Sequence, residues 1–154
     1  MNRSELLAAY LAEVWGRPYR IGQWDCILFI AEWADRLQGS ETFARKLRGH
    51  YSTEREGLAT FTSSTGVNPA IVTALGIHDW QAVPFRTKTL LDPLSFQPGD
   101  IILTDFHHPG IWDGAAIVAQ PARSTGVLRI HFDHATFALR FPAEPHQSQD
   151  VPIS

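Results

Sequence analysis

Cys26, the single cysteine of the chain, is the residue best suited to nucleophilic chemistry. It follows Asp25 within "PYRIGQWDCILFIAEW" (18–33) and begins an apolar run. A helix starting there would place the thiol at its N-terminus, where backbone N–H groups and the helix dipole favour the reactive thiolate. Free cysteine is also among the most buried residue types. Position alone therefore leaves both a nucleophile and a core residue open.

A nucleophilic cysteine requires a base, usually histidine, and the chain has seven histidines. His107 and His108 follow the predicted strand "DIILTDF" (100–106), where a side chain can face a helix N-terminus. His131 and His134 end another predicted strand. No carboxylate cluster accompanies that pair, so its spacing is weak evidence for a metal site.

Helical patterns occupy the first part of the chain and strand patterns the second. The predicted helices are 4–15 with Ser4 as cap, one from Trp24 or Asp25 to a C-cap at Gly39, 40–49 with Ser40 as cap, 52–64, and a turn or two between Asn68 and Gly76. The predicted strands are 80–85, 100–106, 114–120, 126–132 and 137–142. This order favours an α+β fold in which N-terminal helices pack on a small antiparallel sheet.

Length and composition narrow the class of protein. The 154 residues suit a single domain, predicted over 1–142, followed by an extended polar tail over 143–154. A net charge of −3 argues against a nucleic-acid partner. We find no signal peptide pattern and no apolar run long enough for a membrane span, so we expect synthesis in the bacterial cytoplasm.

Three short motifs recur in a defined order. They contain Pro18, Tyr19, Gly22, Asp25, Cys26 and Phe29, then Gly99 and Asp100, and then His108, Pro109, Gly110 and Ile111. Together they resemble the NlpC superfamily of papain-like cell-wall cysteine peptidases. The chain is most similar to short NlpC-like proteins encoded among phage tail genes, whose Arg-Gly-x-Tyr stretch also resembles residues 45–53.

The resemblance implies a catalytic triad. Cys26 would attack an amide carbonyl, His108 would hold the thiolate and later protonate the leaving amine, and Gln120 would orient the imidazole. The backbone N–H of Cys26, with Tyr19 nearby, would stabilise the oxyanion. The substrate would be a peptidoglycan stem peptide, and neither metal nor cofactor would be needed.

Two tryptophans flank this implied site in the sequence. Trp24 and Trp112 could line a substrate groove. Aromatic side chains fill cores so often that core packing is the favoured interpretation for both.

The chain also departs from the pattern of active peptidases. Ile27 and Leu28 stand where Ser-Gly usually follows the cysteine, and Pro109 stiffens the strand after the implied base. An alternative register aligns "GAAIVA" with the histidine strand and puts Gly114 where the base should be. In that register the site is inactive.

Two functions follow from the resemblance. The first is a peptidase in a phage tail that cleaves peptidoglycan during cell-wall penetration. The second is a catalytically inactive tail-tip or tail-assembly protein that keeps the fold and binds other tail proteins. Either way the resemblance implies incorporation in a virion tail. A cytosolic thiol hydrolase or acyltransferase is a weaker third interpretation.

Overall fold

The computed structural model describes residues 1–53, 55–56, 80–85, 92–105, 108–121 and 125–142. Its helices are α1 (Arg3–Val14), α2 (Cys26–Gln38) and α3 (Thr42–Leu47). Its strands are β1 (Gln81–Ala82), β2 (Ile101–Thr104), β3 (Gly110–Trp112), β4 (Ile117–Ala119), β5 (Leu128–Ile130) and β6 (Ala135–Arg140). Short 3-10 helices cover Pro93–Ser95 and Phe132–His134. The predicted α+β class is confirmed.

The six strands form one sheet in the order β1-β6-β2-β3-β4-β5, and every neighbouring pair is antiparallel. Side chains alternate between its faces. Ile101, Leu103 and Ile111 belong to the hydrophobic cluster that contains the buried residues of the helices. Ile102 and Trp112 belong to a second cluster on the opposite face. The sheet therefore separates two apolar layers.

The predicted helices at the start of the chain are present, but the caps of α1 and α3 differ from those predicted. Helix α1 is capped by Asn2 rather than Ser4: the Asn2 side chain accepts from the N–H of Glu5, and the Glu5 carboxylate accepts from the N–H of Asn2. This reciprocal pair requires an acid or amide three residues after the cap. Asn2 has Glu5 at that position, whereas Ser4 has Leu7.

Helix α3 is capped from another helix rather than by Ser40. The carboxylate of Asp35, in α2, accepts the N–H groups of Phe43 and Ala44 at 2.8 and 3.0 Å. Ser40 Oγ donates to the same carboxylate. Burial raises the pKa of Asp35, while these donors favour its charged form. The contact fixes the angle between α2 and α3.

The Gly99–Asp100 turn joins the sheet to α2. Asp100 is fully buried, and its two oxygens accept from Nε and Nη2 of Arg140 on β6 at 2.9 and 2.8 Å. The carbonyl of Gly99 accepts from Nε1 of Trp33 in α2 at 2.8 Å. In this chain the Gly-Asp motif therefore has a structural role, because its hydrogen bonds connect the turn before β2 to β6 and to α2.

The five predicted strands correspond to β1, β2, β4, β5 and β6. The first four are shorter than predicted, and β6 begins and ends two residues earlier than predicted. Thr53 Oγ1 accepts from the N–H of Glu56, which is the hydrogen bond of a helix N-cap. Residues 54 and 57–64 of the predicted helix 52–64, the predicted helix after Asn68 and the tail 143–154 lie outside the described residues. Within the described ranges, we find no helix with the length and apolarity needed to cross a bilayer.

Candidate functional site

Helix α2 begins at Cys26, one or two residues after the predicted start at Trp24 or Asp25, so the cysteine lies at the helix N-terminus. Asp25 is the N-cap, and its Oδ1 accepts from the N–H groups of Ile27 and Leu28 at 3.0 and 2.9 Å. Cys26 itself is half-buried and packs against the helix-side hydrophobic cluster. The sulfur therefore lies at a helix N-terminus and at the edge of a core.

Asp25 is held from two sides. Its second oxygen, Oδ2, accepts from the backbone N–H of Gly22 at 2.8 Å and from the hydroxyl of Tyr51 at 2.6 Å. The residue is only 1% exposed. With four donors on two oxygens, the carboxylate cannot rotate without losing hydrogen bonds.

The loop before Cys26 lies against the segment that contains Tyr51. Gly22 has a φ of +79°, and a Cβ added there would meet the carbonyl oxygen of Tyr51 at 2.0 Å. The carbonyl of Gly22 accepts from the N–H of Gly49. This close approach places Tyr51 next to the loop that carries the Asp-Cys motif.

The electrostatic surroundings of Cys26 favour the thiol. Burial, and next the negative charge of Asp25, raise the pKa of Cys26 to about 12. The backbone N–H groups of Cys26 and Ile27 act in the opposite direction but are outweighed. The helix N-terminus was predicted to favour the thiolate, and it does contribute in that direction. The net effect leaves a protonated sulfur at neutral pH.

Gln120 lies at the end of β4 and is brought to the Cys26 loop. Its Oε1 accepts from Nε1 of Trp24 at 3.1 Å, and its Nε2 donates to the carbonyl of Pro121. Gln120 is 1% exposed. The contact with Trp24 joins the sheet to the residues just before α2.

His108 lies just before β3 and is half-buried. Its carbonyl accepts from Oγ1 of Thr104 at 2.8 Å, across the β2–β3 hairpin. Strands β3 and β4 pair Ile111 with Val118, so the same register continued two residues places Gln120 opposite Pro109. In this register Gln120 is therefore one residue away from the position opposite His108.

The other residues of the predicted site have distinct surroundings. Trp24 and Trp112 are both buried, in the hydrophobic clusters on opposite faces of the sheet. Tyr19 is half-buried, and its electrostatic influence reaches Tyr51. Gly114, the alternative site position, lies in the β3–β4 turn with a φ of +109°.

Tyr51 is the residue of this site that the sequence analysis did not single out. It is buried, and burial followed by the charge of Asp25 raises its pKa well above the usual value. Its hydroxyl therefore remains a donor to Asp25 across the pH range in which proteins are studied. The Arg-Gly-x-Tyr stretch was the available signal, since it places a tyrosine at a fixed distance from Cys26.

Two arginines connect the loop before Cys26 to α2. Glu32 accepts from Arg17 at 2.9 Å and also pairs with Arg48. Arg17 lies over the ring of Trp24, 4.2 Å from its centroid, and Arg48 Nε donates to the carbonyl of Gln23. The loop that carries the Asp-Cys motif is therefore tied to α2 and α3 as well as to β4.

Within the described part of the chain, no group of three or more His, Cys, Asp and Glu side chains is arranged to hold a metal ion. The histidines that suggested such a site have carboxylate neighbours: Nδ1 of His131 lies 2.8 Å from Asp133, and Nδ1 of His134 lies 2.9 Å from Asp105. These contacts join the turn before β6 to the end of β2.

Comparison with known proteins gives one match. The family model described as "Domain of unknown function (DUF6950)" matches residues 2–141, which covers the helices and the whole sheet. Neither the curated proteins nor the solved structures contain a match to the chain. Because the family model covers most of the sequence, the chain belongs to the DUF6950 domain family.

Proposed function

We propose that this protein is a structural component of a phage tail tip, with an NlpC-like, papain-like fold whose cysteine site has become part of the packing. The observation that carries the proposal is the fixed position of Asp25 beside Cys26. A carboxylate held there opposes the thiolate that hydrolysis requires.

The surroundings of Gln120 support the same interpretation. Oε1 of Gln120 accepts from Trp24 and its Nε2 donates to the carbonyl of Pro121, so the side chain has a structural role in joining β4 to the Cys26 loop. Its position one residue out of step with His108 also favours a role in joining β4 to the Cys26 loop.

The phage-tail context rests on the resemblance of the sequence motifs to short NlpC-like proteins encoded among tail genes. In that context the partners are other tail or tail-tip proteins, and the protein is incorporated in the virion after synthesis in the bacterial cytoplasm. The tight hydrogen-bond network around Asp25 fits such a role, because an assembly component needs a rigid domain more than a reactive group.

One observation favours a second candidate, a cysteine peptidase acting on peptidoglycan stem peptides. The N–H groups of Cys26 and Ile27 are close enough to the sulfur to lower its pKa. Such groups also stabilise an oxyanion next to a nucleophile. In this candidate Cys26 gives its proton to His108 and attacks the amide carbonyl, the C–N bond breaks as the leaving amine takes that proton from His108, and water then hydrolyses the thioester and restores the thiol.

A digestion experiment separates the two candidates. Purified muropeptides are incubated with the wild-type protein and with Cys26→Ala, and the products are analysed by mass spectrometry. The structural proposal expects identical traces without cleavage products. Cleavage by the wild type that is lost in Cys26→Ala would overturn it and support the peptidase.

The alkylation rate of Cys26 provides a second prediction. With a pKa of about 12, the folded protein should react with iodoacetamide about fiftyfold more slowly at pH 7 than an ordinary thiol, since the thousandfold smaller thiolate fraction is partly offset by greater nucleophilicity. The rate should keep rising above pH 9. Because the chain has one cysteine, the alkylated fraction measured by mass spectrometry reports on Cys26 alone. A plateau below pH 8 would contradict the prediction.

A further inference from the structure

Residues 48–51 run from the end of α3 across the loop that carries the Asp-Cys motif, and we call this segment the strap. Arg48 Nε donates to the carbonyl of Gln23 at 3.1 Å. The N–H of Gly49 donates to the carbonyl of Gly22 at 2.9 Å. Two consecutive residues of the strap therefore hold the backbone of two consecutive residues of the loop.

Tyr51 extends the contact of the strap to the start of α2. It is 4% exposed, and its hydroxyl donates to Asp25 at 2.6 Å. Burial, then the charge and the hydrogen bond of Asp25, raise the pKa of Tyr51, and the charge of Cys26 adds to them. The phenol is therefore within electrostatic reach of the half-buried sulfur.

The strap is held by fewer buried contacts than the elements beside it. Its first three residues are exposed, and only Tyr51 is buried. The ion pair from Arg48 to Glu32 uses an arginine side chain that is 38% exposed. In α2, by contrast, nine of the thirteen residues are buried. Segments with few buried contacts open at a lower free energy than the core around them.

We propose that the strap opens as a unit while α2 and the sheet stay folded, and that this opening exposes Cys26 to other molecules. In the closed state the Tyr51 hydroxyl helps to hold Asp25 beside the sulfur. Opening breaks that hydrogen bond and removes the phenol from the region of the thiol. The inference rests on the proposed function in one respect, that the closed state is the unreactive one.

The test measures how fast the full chain is labelled by fluorescein maleimide at neutral pH, since this reagent is too bulky to reach a half-buried sulfur. Arg48→Gln removes the hydrogen bond to Gln23 and the ion pair to Glu32. It should speed labelling about tenfold. Loss of a positive charge by itself disfavours a nearby thiolate, so faster labelling reports opening of the strap rather than a change in the field at the sulfur.

Arg36→Gln is the matched control, because it removes the same charge and breaks an ion pair with Glu13 that joins α2 to α1. It should change the labelling rate by less than about twofold. Urea unfolding of both variants gives their global stability. The strap is overturned if Arg48→Gln is labelled no faster than the wild type, or if both variants are labelled faster in proportion to their loss of global stability.

Failure of the proposed function has a different signature. Cleavage of muropeptides by the wild type, with faster labelling of Arg48→Gln, overturns the structural role of the protein and leaves the strap in place. Equal labelling of the wild type and Arg48→Gln, without cleavage, overturns the strap alone.

Discussion

Replacing Asp25 with alanine should lower the free energy of unfolding by about 3–5 kcal/mol. The substitution removes the only N-cap side chain of α2 and leaves four donors without their acceptor: the N–H groups of Gly22, Ile27 and Leu28, and the hydroxyl of Tyr51. All four lie in buried surroundings, so water cannot replace the lost bonds without opening the loop. Urea unfolding followed by tryptophan fluorescence measures the change.

Asn2→Ala is the matched control, since Asn2 caps α1 in an exposed position. Loss of an exposed cap costs about 1 kcal/mol. Asp25→Asn should fall between the two alanine variants, because one oxygen remains for Ile27 and Leu28 while the NH₂ group replaces the oxygen that accepts from Gly22 and Tyr51. If Asp25→Ala destabilises the protein no more than Asn2→Ala, the hydrogen-bond network is not the support of the Cys26 loop that the structure indicates.

Local signals predicted the elements that position the site. Asp25 before an apolar helical stripe indicated the start of α2, and Gly39 indicated its end; both are found, with Gly39 in the left-handed conformation. Five of the six strands were predicted from short runs between turn residues, whereas β3 (Gly110–Trp112) was not among the predicted strands. Such features depend on residues a few positions apart, so one sequence contains enough information to locate them.

The contacts that define the site connect distant residues. Gln120 and Trp24 are 96 positions apart, and Tyr51 reaches Asp25 across 26. Asp35 caps a helix that begins after the connecting turn. No periodicity or local propensity in the sequence predicts these contacts. They follow from how the sheet packs on α2, which only the folded structure provides.

The raised pKa of Cys26 could not be predicted from the sequence for the same reason. A helix N-terminus lowers the pKa of a thiol, and the sequence indicated that position correctly. Two contributions raise the pKa of Cys26: burial, which is the larger, and the negative charge of Asp25, whose carboxylate is held by Gly22 and Tyr51. Both contributions depend on residues outside the Asp-Cys motif itself.

Gly22→Ala should destabilise the protein by about 4 kcal/mol or more, or prevent folding. The residue has a φ of +79°, and the new Cβ would lie 2.0 Å from the carbonyl oxygen of Tyr51. That oxygen belongs to the backbone, so relief requires the 49–51 segment to move away from the loop. The movement would also weaken the bond from Tyr51 to Asp25. Urea unfolding and the yield of soluble protein measure the effect.

Gly126→Ala separates the two causes of the destabilisation expected for Gly22→Ala, which are the positive φ and the clash of the new Cβ with Tyr51. Gly126 also has a positive φ, of +100°, but an added Cβ would meet no described atom within 4 Å. Its cost should therefore be the conformational penalty alone, about 1–2 kcal/mol. Comparable losses in Gly22→Ala and Gly126→Ala would mean that the loop and the Tyr51 segment are not in the contact described. A much larger loss at Gly22 would instead establish that this contact, through Asp25, holds the start of α2 and its cysteine in place.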